Sequence, residues 1–188
     1  MTNSSQALLF AKNFLRHPSM LGSLVPSSRF LVNDLLSQLD WDRARVVVEY
    51  GPGVGTITQE LLKRMRPDAV LVAIELNPEF VRFLEDEVPD PRLRVVHASA
   101  SSVREALARF GLGNADYIIS GIPFTNIPGA MRLEIMQESR QALQPDGALL
   151  VYQFTATVLP YLKSSFTTVR QNFQLWNILP ARIFYCTP

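Results

Sequence analysis

The chain has 188 residues, the length of one domain, and its 47% apolar and 19% charged residues exclude intrinsic disorder. Eighteen Lys and Arg against seventeen Asp and Glu leave a formal net charge of +1, so no global field points to a nucleic-acid partner, although a local basic face stays open. A single cysteine, Cys186, excludes an internal disulfide framework and a cysteine metal cluster, and no apolar run approaches the roughly 18 residues of a membrane span.

In chain order, residues 5–15 set Leu8, Leu9, Phe10, Phe14 and Leu15 among polar residues, with Lys12, Arg16 and His17 nearby. They predict an amphipathic helix ended by Pro18, without the cleavage pattern of a secretory signal. A turn-rich run over 22–29 and a helix over 28–39 follow. Strands are then expected at 45–50, 69–74, 93–96, 116–120 and 149–154, alternating with helices at 56–65, 78–87, 102–110 and 130–143. Such alternation is the pattern of a parallel sheet with helices on both faces. Residues 169–176 and 182–187 are strand-like and separated too briefly for a crossover helix, so they should form an antiparallel hairpin. The expected division is an N-terminal helical cap and membrane-contacting leader at 1–40, then an α/β catalytic domain at 41–188.

The sharpest local signal is Glu49-Tyr50-Gly51-Pro52-Gly53-Val54-Gly55-Thr56, between the first strand and its helix. Glycines allow a tight bend and close approach to a ligand, and unpaired amides at the helix start suit a polar group. The spacing is neither the G-x-G-x-x-G of the dinucleotide fingerprint nor a phosphate loop with its lysine. Glu75 ends the second strand about twenty residues on, where a carboxylate accepts hydrogen bonds from both hydroxyls of a ribose. That geometry serves NAD and S-adenosylmethionine equally. The pattern therefore leaves a dinucleotide, a methyl donor or a simple packing turn open.

Val46 to Thr58, reading VVVEYGPGVGTIT, resembles motif I of the class I S-adenosylmethionine-dependent methyltransferases. More narrowly, the chain is similar to the bacterial phospholipid N-methyltransferases, which methylate phosphatidylethanolamine. The likeness rests on Phe14-Leu15-Arg16, Gly22, Val25-Pro26-Ser27-Ser28-Arg29, the glycine loop, Ser120-Gly121-Ile122-Pro123-Phe124, and the tail from Trp176 through Leu179-Pro180-Ala181-Arg182 to Phe184. It implies a Rossmann-like sheet of seven mostly parallel strands with the C-terminal antiparallel hairpin. It also implies that Tyr50, Gly51, Gly53 and Gly55 wrap the amino-acid end of the donor, Glu75 holds its ribose and Leu76 flanks its adenine. Thr56 is a further expected donor contact, and Glu49 at the tip of the first strand is placed either to orient the loop or to meet the cationic methionyl part. Ala98-Ser99-Ala100 stands where the family has Gly-Asp-Ala, so Ser99 and Ala100 meet the adenine without a charge. Tyr50 replaces the common leucine and is expected to bring a phenol near the donor.

The loop 120–124 leaves the tip of the fourth strand, beside the glycine loop where strand order reverses. Methyl transfer is an in-line displacement that needs alignment and a free nitrogen lone pair. Tyr50, Ser120, Ile122 and Phe124 are the expected reacting-end residues, with Ser120 also near the donor, and Phe124 is the expected aromatic wall favouring a methylated ammonium. Arg29, Pro123, Phe124, Tyr161 and Arg182 are the expected substrate contacts, the two arginines reaching a lipid phosphate. The partner implied is a phospholipid amine headgroup at an anionic membrane surface, with peripheral attachment to the inner face. No clustered metal-ligand pattern is present, since His17 and His97 are far apart in sequence. The ribosomal RNA adenine dimethyltransferases share the layout, but Ser120 stands where they carry Asn, and base chemistry needs an extruded adenine. A small soluble amine as acceptor and a non-catalytic donor-binding protein remain as alternatives.

Overall fold

In a computed structural model, which describes residues 29–174 and 180–188, the apolar runs become one seven-stranded sheet in the order β3-β2-β1-β4-β5-β7-β6. The strands are β1 Val46–Tyr50, β2 Val70–Glu75, β3 Leu93–His97, β4 Ala115–Ser120, β5 Leu143–Gln153, β6 Thr168–Gln174 and β7 Ala181–Thr187. The first five run parallel, while β7 joins β5 and β6 antiparallel, giving the expected Rossmann-like topology with its closing hairpin. The helices are α1 Arg29–Leu36, α2 Thr56–Arg64, α3 Pro78–Glu87, α4 Val103–Arg109, α5 Gly129–Ala142 and α6 Leu159–Ser165. The predicted leader helix at 5–15, the turn run up to Ser28, and Trp176 lie outside the described residues.

Alternation along each strand sends successive side chains to opposite faces, and the core divides accordingly. Val48, Tyr50, Ile74, Ile118, Val151 and Phe184 pack with α4, α5 and α6 on one face. Val47, Leu71, Ile119, Leu150 and Ile183 pack with α1, α2 and Leu84 of α3 on the other. Within α1, Leu31, Leu35 and Leu36 are fully buried and contribute on the order of 1.5–3 kcal/mol each. The Asp40 amide donates to the Tyr117 hydroxyl of β4 at 3.1 Å, so the segment after α1 is tied to the sheet. Leu31, Val32, Leu35, Leu36 and Leu39 thus pack into the second core layer.

Three local features differ from the sequence expectation. Strand β5 starts at Leu143 and not near 149, because Gly147 lets the chain lie against β4: a Cβ there would sit 2.7 Å from the Asp116 carbonyl oxygen. Helix α6, with a proline in its first turn, was not foreseen. The loop after β4 forms a 3₁₀ turn at Phe124–Asn126 before α5.

Candidate functional site

Strand order reverses between β1 and β4, which places their carboxyl ends beside a crevice. Tyr50 and Ser120 are opposite one another in the β1–β4 register, and the Gly121 amide donates to the Tyr50 carbonyl at 3.1 Å. The two tips therefore face each other. The contact is close, because a Cβ on Gly51 would lie 2.7 Å from Ile122 Cγ2. Gly51, Gly53 and Gly55 all have left-handed φ angles, between 56° and 77°. The loop thus turns three times into backbone space that L-residues rarely enter, and Gly55 leads directly into α2. Gly51→Ala meets both a φ penalty and the Ile122 side chain. It should destabilise the fold by about 2 kcal/mol, a fall of roughly 4–8 °C in Tm by thermal unfolding.

Two carboxylates sit at adjacent tips. Glu49 is almost fully buried and accepts a 2.7 Å hydrogen bond from the Thr58 hydroxyl of α2. Burial pushes its carboxyl up to about 8; the Thr58 bond partly opposes this, and the neighbouring Glu75 charge adds to it. Glu75 accepts from the Gly53 amide at 3.0 Å and the Asn77 amide at 2.8 Å, one on each oxygen. Its carboxyl is also raised, mainly by burial, with those amides opposing the shift. Leu76 beside it is 66% exposed, an apolar face next to a buried acid, and its carbonyl lies 3.0 Å from His97 Nε2.

Other predicted site residues fall in different places. The Tyr50 phenol does not reach the donor side: its ring is buried under the sheet, with its hydroxyl 3.0 Å from Ser139 of α5. Only its backbone belongs to the crevice. The Phe124 ring is likewise in the core, 1% exposed, in the cluster containing Ile135 and Met136 of α5, and is not an open wall. Ser120 is buried with its hydroxyl oxygen lacking a hydrogen-bond partner. The Ser99 oxygen accepts from the Ser101 amide at 3.3 Å and caps the turn begun by Ala100.

Among the expected substrate contacts, Pro123 lines a recess of about 90 Å³ with Thr125, Tyr152, Gln153, Phe154 and Thr155. Arg182 is partly buried opposite Gln153 in the β5–β7 register, with its guanidinium 5.3 Å above the half-exposed Phe173 ring. Both residues lie at the crevice end of the sheet. Tyr161 serves the loop from behind: its hydroxyl lies where it would be 3.0 Å from a Cβ on Gly129, and Arg132 covers its ring at 5.4 Å. Arg132 in turn donates to the Ile127 and Thr125 carbonyls. Arg29 stands at the start of α1, 5.3 Å over the exposed Phe30 ring. Gln153 was missed by sequence reasoning. Its Nε2 donates to the Ile122 carbonyl at 2.7 Å and fixes the loop opposite the glycines.

An S-adenosyl donor fits this set. Paired buried carboxylates suit a ligand with cationic sulfonium and ammonium groups, the Glu75 oxygens retain lone pairs for ribose hydroxyls, and Leu76 offers a face for a base. The orphaned Ser120 oxygen is a polar atom that a ligand at the crevice would satisfy.

Comparison with known proteins agrees. The chain is 28% identical over 180 residues to an ornithine lipid N-methyltransferase of Singulisphaera acidiphila, covering 95% of this chain and 94% of that protein. It is 29% identical over 96 residues to the ribosomal RNA small subunit methyltransferase A of Mycoplasma capricolum subsp. capricolum, matching 50% of this chain but only 35% of that longer relative. The fold is similar to a precorrin-6y C5,15-methyltransferase of Geobacter metallireducens, with 18% identity and TM-score 0.65 over 83% of this chain and 86% of that one. It is also similar to human methyltransferase-like protein 13 in complex with SAH, with 18% identity and TM-score 0.60 over 92% and 81% of the two chains. Residues 15–153 match the model of the ribosomal RNA adenine dimethylase family, so the chain belongs to that family and is an S-adenosylmethionine-dependent methyltransferase of the class I fold.

Proposed function

We propose that the enzyme methylates the amine of a zwitterionic lipid headgroup, of the phosphatidylethanolamine or ornithine-lipid kind, while attached peripherally to the inner face of a membrane. The observation that carries this is the placement of Phe124. With its ring in the core it offers no platform on which an extruded adenine stacks. What lies beside the loop instead is a recess of about 90 Å³ lined by Pro123, Tyr152 and Gln153, suited to an alkyl amine. The lipid-methylating relative that matches along nearly its whole length supports the same acceptor. Among the described residues no helix is long and apolar enough to cross a membrane.

When bound, S-adenosylmethionine supplies an electrophilic methyl group on a sulfonium. Glu75 and the Gly53 amide would fix the ribose end, and Glu49 would balance the positive end. The Ile122 carbonyl, held by Gln153, keeps a lone pair with which to accept a hydrogen from the acceptor amine. The amine must shed a proton to water before attack, and the main task of the chain is then alignment. Arg182, which no carboxylate among the described residues pairs with, would hold the anionic part of the headgroup.

Transfer of labelled methyl from S-adenosylmethionine by the full chain should appear in phosphatidylethanolamine or ornithine-lipid vesicles and not in ribosomal RNA. Arg182→Gln should raise the lipid KM about 10- to 100-fold, the worth of one charge-assisted hydrogen bond, with kcat little changed. The second reading, an RNA adenine methyltransferase, is favoured by the family match over residues 15–153. Label confined to RNA would establish it and remove the lipid reading.

A further inference from the structure

Gly121 has no left-handed φ, unlike Gly51, Gly53 and Gly55, so its backbone does not demand glycine. Space does. A Cβ at Gly121 would run into the Tyr152 hydroxyl and stand 2.8 Å from Cζ and 2.9 Å from Cε1. The hydroxyl end of Tyr152 therefore lies against the first residue of the loop that leaves β4, while the Gly121 amide is held by the Tyr50 carbonyl at the tip of β1. Tyr152 and Gln153 are consecutive residues of β5 and project to opposite faces of the sheet. One covers Gly121 and the other grips the Ile122 carbonyl. Both line the recess beside Pro123.

We infer that Tyr152 touches the acceptor and sets both its orientation and the number of methyl groups it takes. This rests on the amine-methyltransferase reading above. The phenol oxygen accepts an N–H of the uncharged amine while the Ile122 carbonyl accepts another, which leaves the nitrogen lone pair pointing between the two strand tips. In each round the nitrogen forms a C–N bond as the methyl C–S bond breaks, its electron pair staying on sulfur, and the extra proton on nitrogen leaves to water. Each round also removes one N–H, so a nitrogen with fewer hydrogens loses one of its two acceptors. The first transfer is then the best aligned. The ring face meanwhile favours the methylated ammonium through cation–π attraction, retaining it for a further round.

Tyr152→Phe and Gly121→Ala test this with phosphatidylethanolamine vesicles as acceptor. Tyr152→Phe keeps the ring and loses the oxygen. It should lower kcat for the first methylation at least tenfold, leave donor affinity by calorimetry within twofold, and narrow the gap between first and later transfers in the mass spectrum of products. Gly121→Ala displaces the phenol and should give the same product pattern if the chain remains folded by circular dichroism. A Tyr152→Phe enzyme with wild-type kcat and product ratios overturns the inference while leaving lipid methylation intact. Wild-type protein that methylates no amine lipid overturns both.

Discussion

Replacing Glu75 by alanine should raise the dissociation constant for S-adenosylmethionine by about two orders of magnitude, with little loss of Tm. The carboxylate does two jobs. It accepts the Gly53 and Asn77 amides, holding the glycine loop and the start of α3 in register with β2. It also presents the remaining lone pairs that ribose hydroxyls need. Hydrogen bonds to a charged group are worth about 1.5–3 kcal/mol each, so losing a ribose pair and the loop anchor amounts to 100-fold or more. The unliganded fold loses less, because burial already raises this carboxyl and its removal relieves a desolvation penalty. Glu75→Gln keeps one acceptor oxygen and should fall between. Calorimetric titration with the donor and a thermal scan on the same variants measure the two effects. Tight donor binding by Glu75→Ala would place the ribose elsewhere.

How far the sequence reaches can be followed along β1. The Val run of residues 46–48 and the glycines behind it are read directly, because a buried parallel strand needs β-branched residues and its turn needs left-handed φ. The Tyr50 side chain lies away from the donor side, on the face that strand alternation assigns it. Val48 and Tyr50 share a face, and that face packs on α5, so alternation alone sends the phenol to Ser139. Phe124 was harder, since the 3₁₀ turn that carries its ring into the core follows from contacts with α5 and not from local pattern. Tyr152 was out of reach for a different reason. Its meaning comes from Gly121, and the two meet only because β4 and β5 are neighbours, with Ser120 opposite Val151. Gln144-Pro145-Asp146-Gly147 reads as a turn by composition, yet the sheet takes it up as the start of β5 with a register shift opposite residues 115–117. Residue chemistry at strand tips was thus legible where one strand and its own loop define it. It was hidden where two distant strands do.

Donor affinity should climb with pH, by about 50-fold between pH 6 and pH 8, and binding near pH 7 should release close to one proton. Glu49 is the source. Its carboxyl is held up to about 8 from an ordinary 4.5, chiefly by burial, so the unliganded protein carries it protonated at neutral pH. A cation bound beside it selects the ionised form, and each pH unit below the folded value then weakens binding about tenfold. The stability of the unliganded fold moves the other way. The folded state keeps this proton while the unfolded chain loses it between pH 4.5 and about 8, so the contribution is complete below 4.5 and disappears as pH rises through 8. That span corresponds to an upper bound of roughly 3–5 kcal/mol. Glu49→Gln should flatten both curves and weaken donor binding most at pH 9, where the wild type is fully ionised. Glu75 is raised in the same direction, mainly by burial. Titrations in two buffers of different ionisation enthalpy count the released proton directly. A pH-independent affinity with no proton released would mean that Glu49 stays protonated against the bound donor and acts only as a brace for Thr58 and the loop.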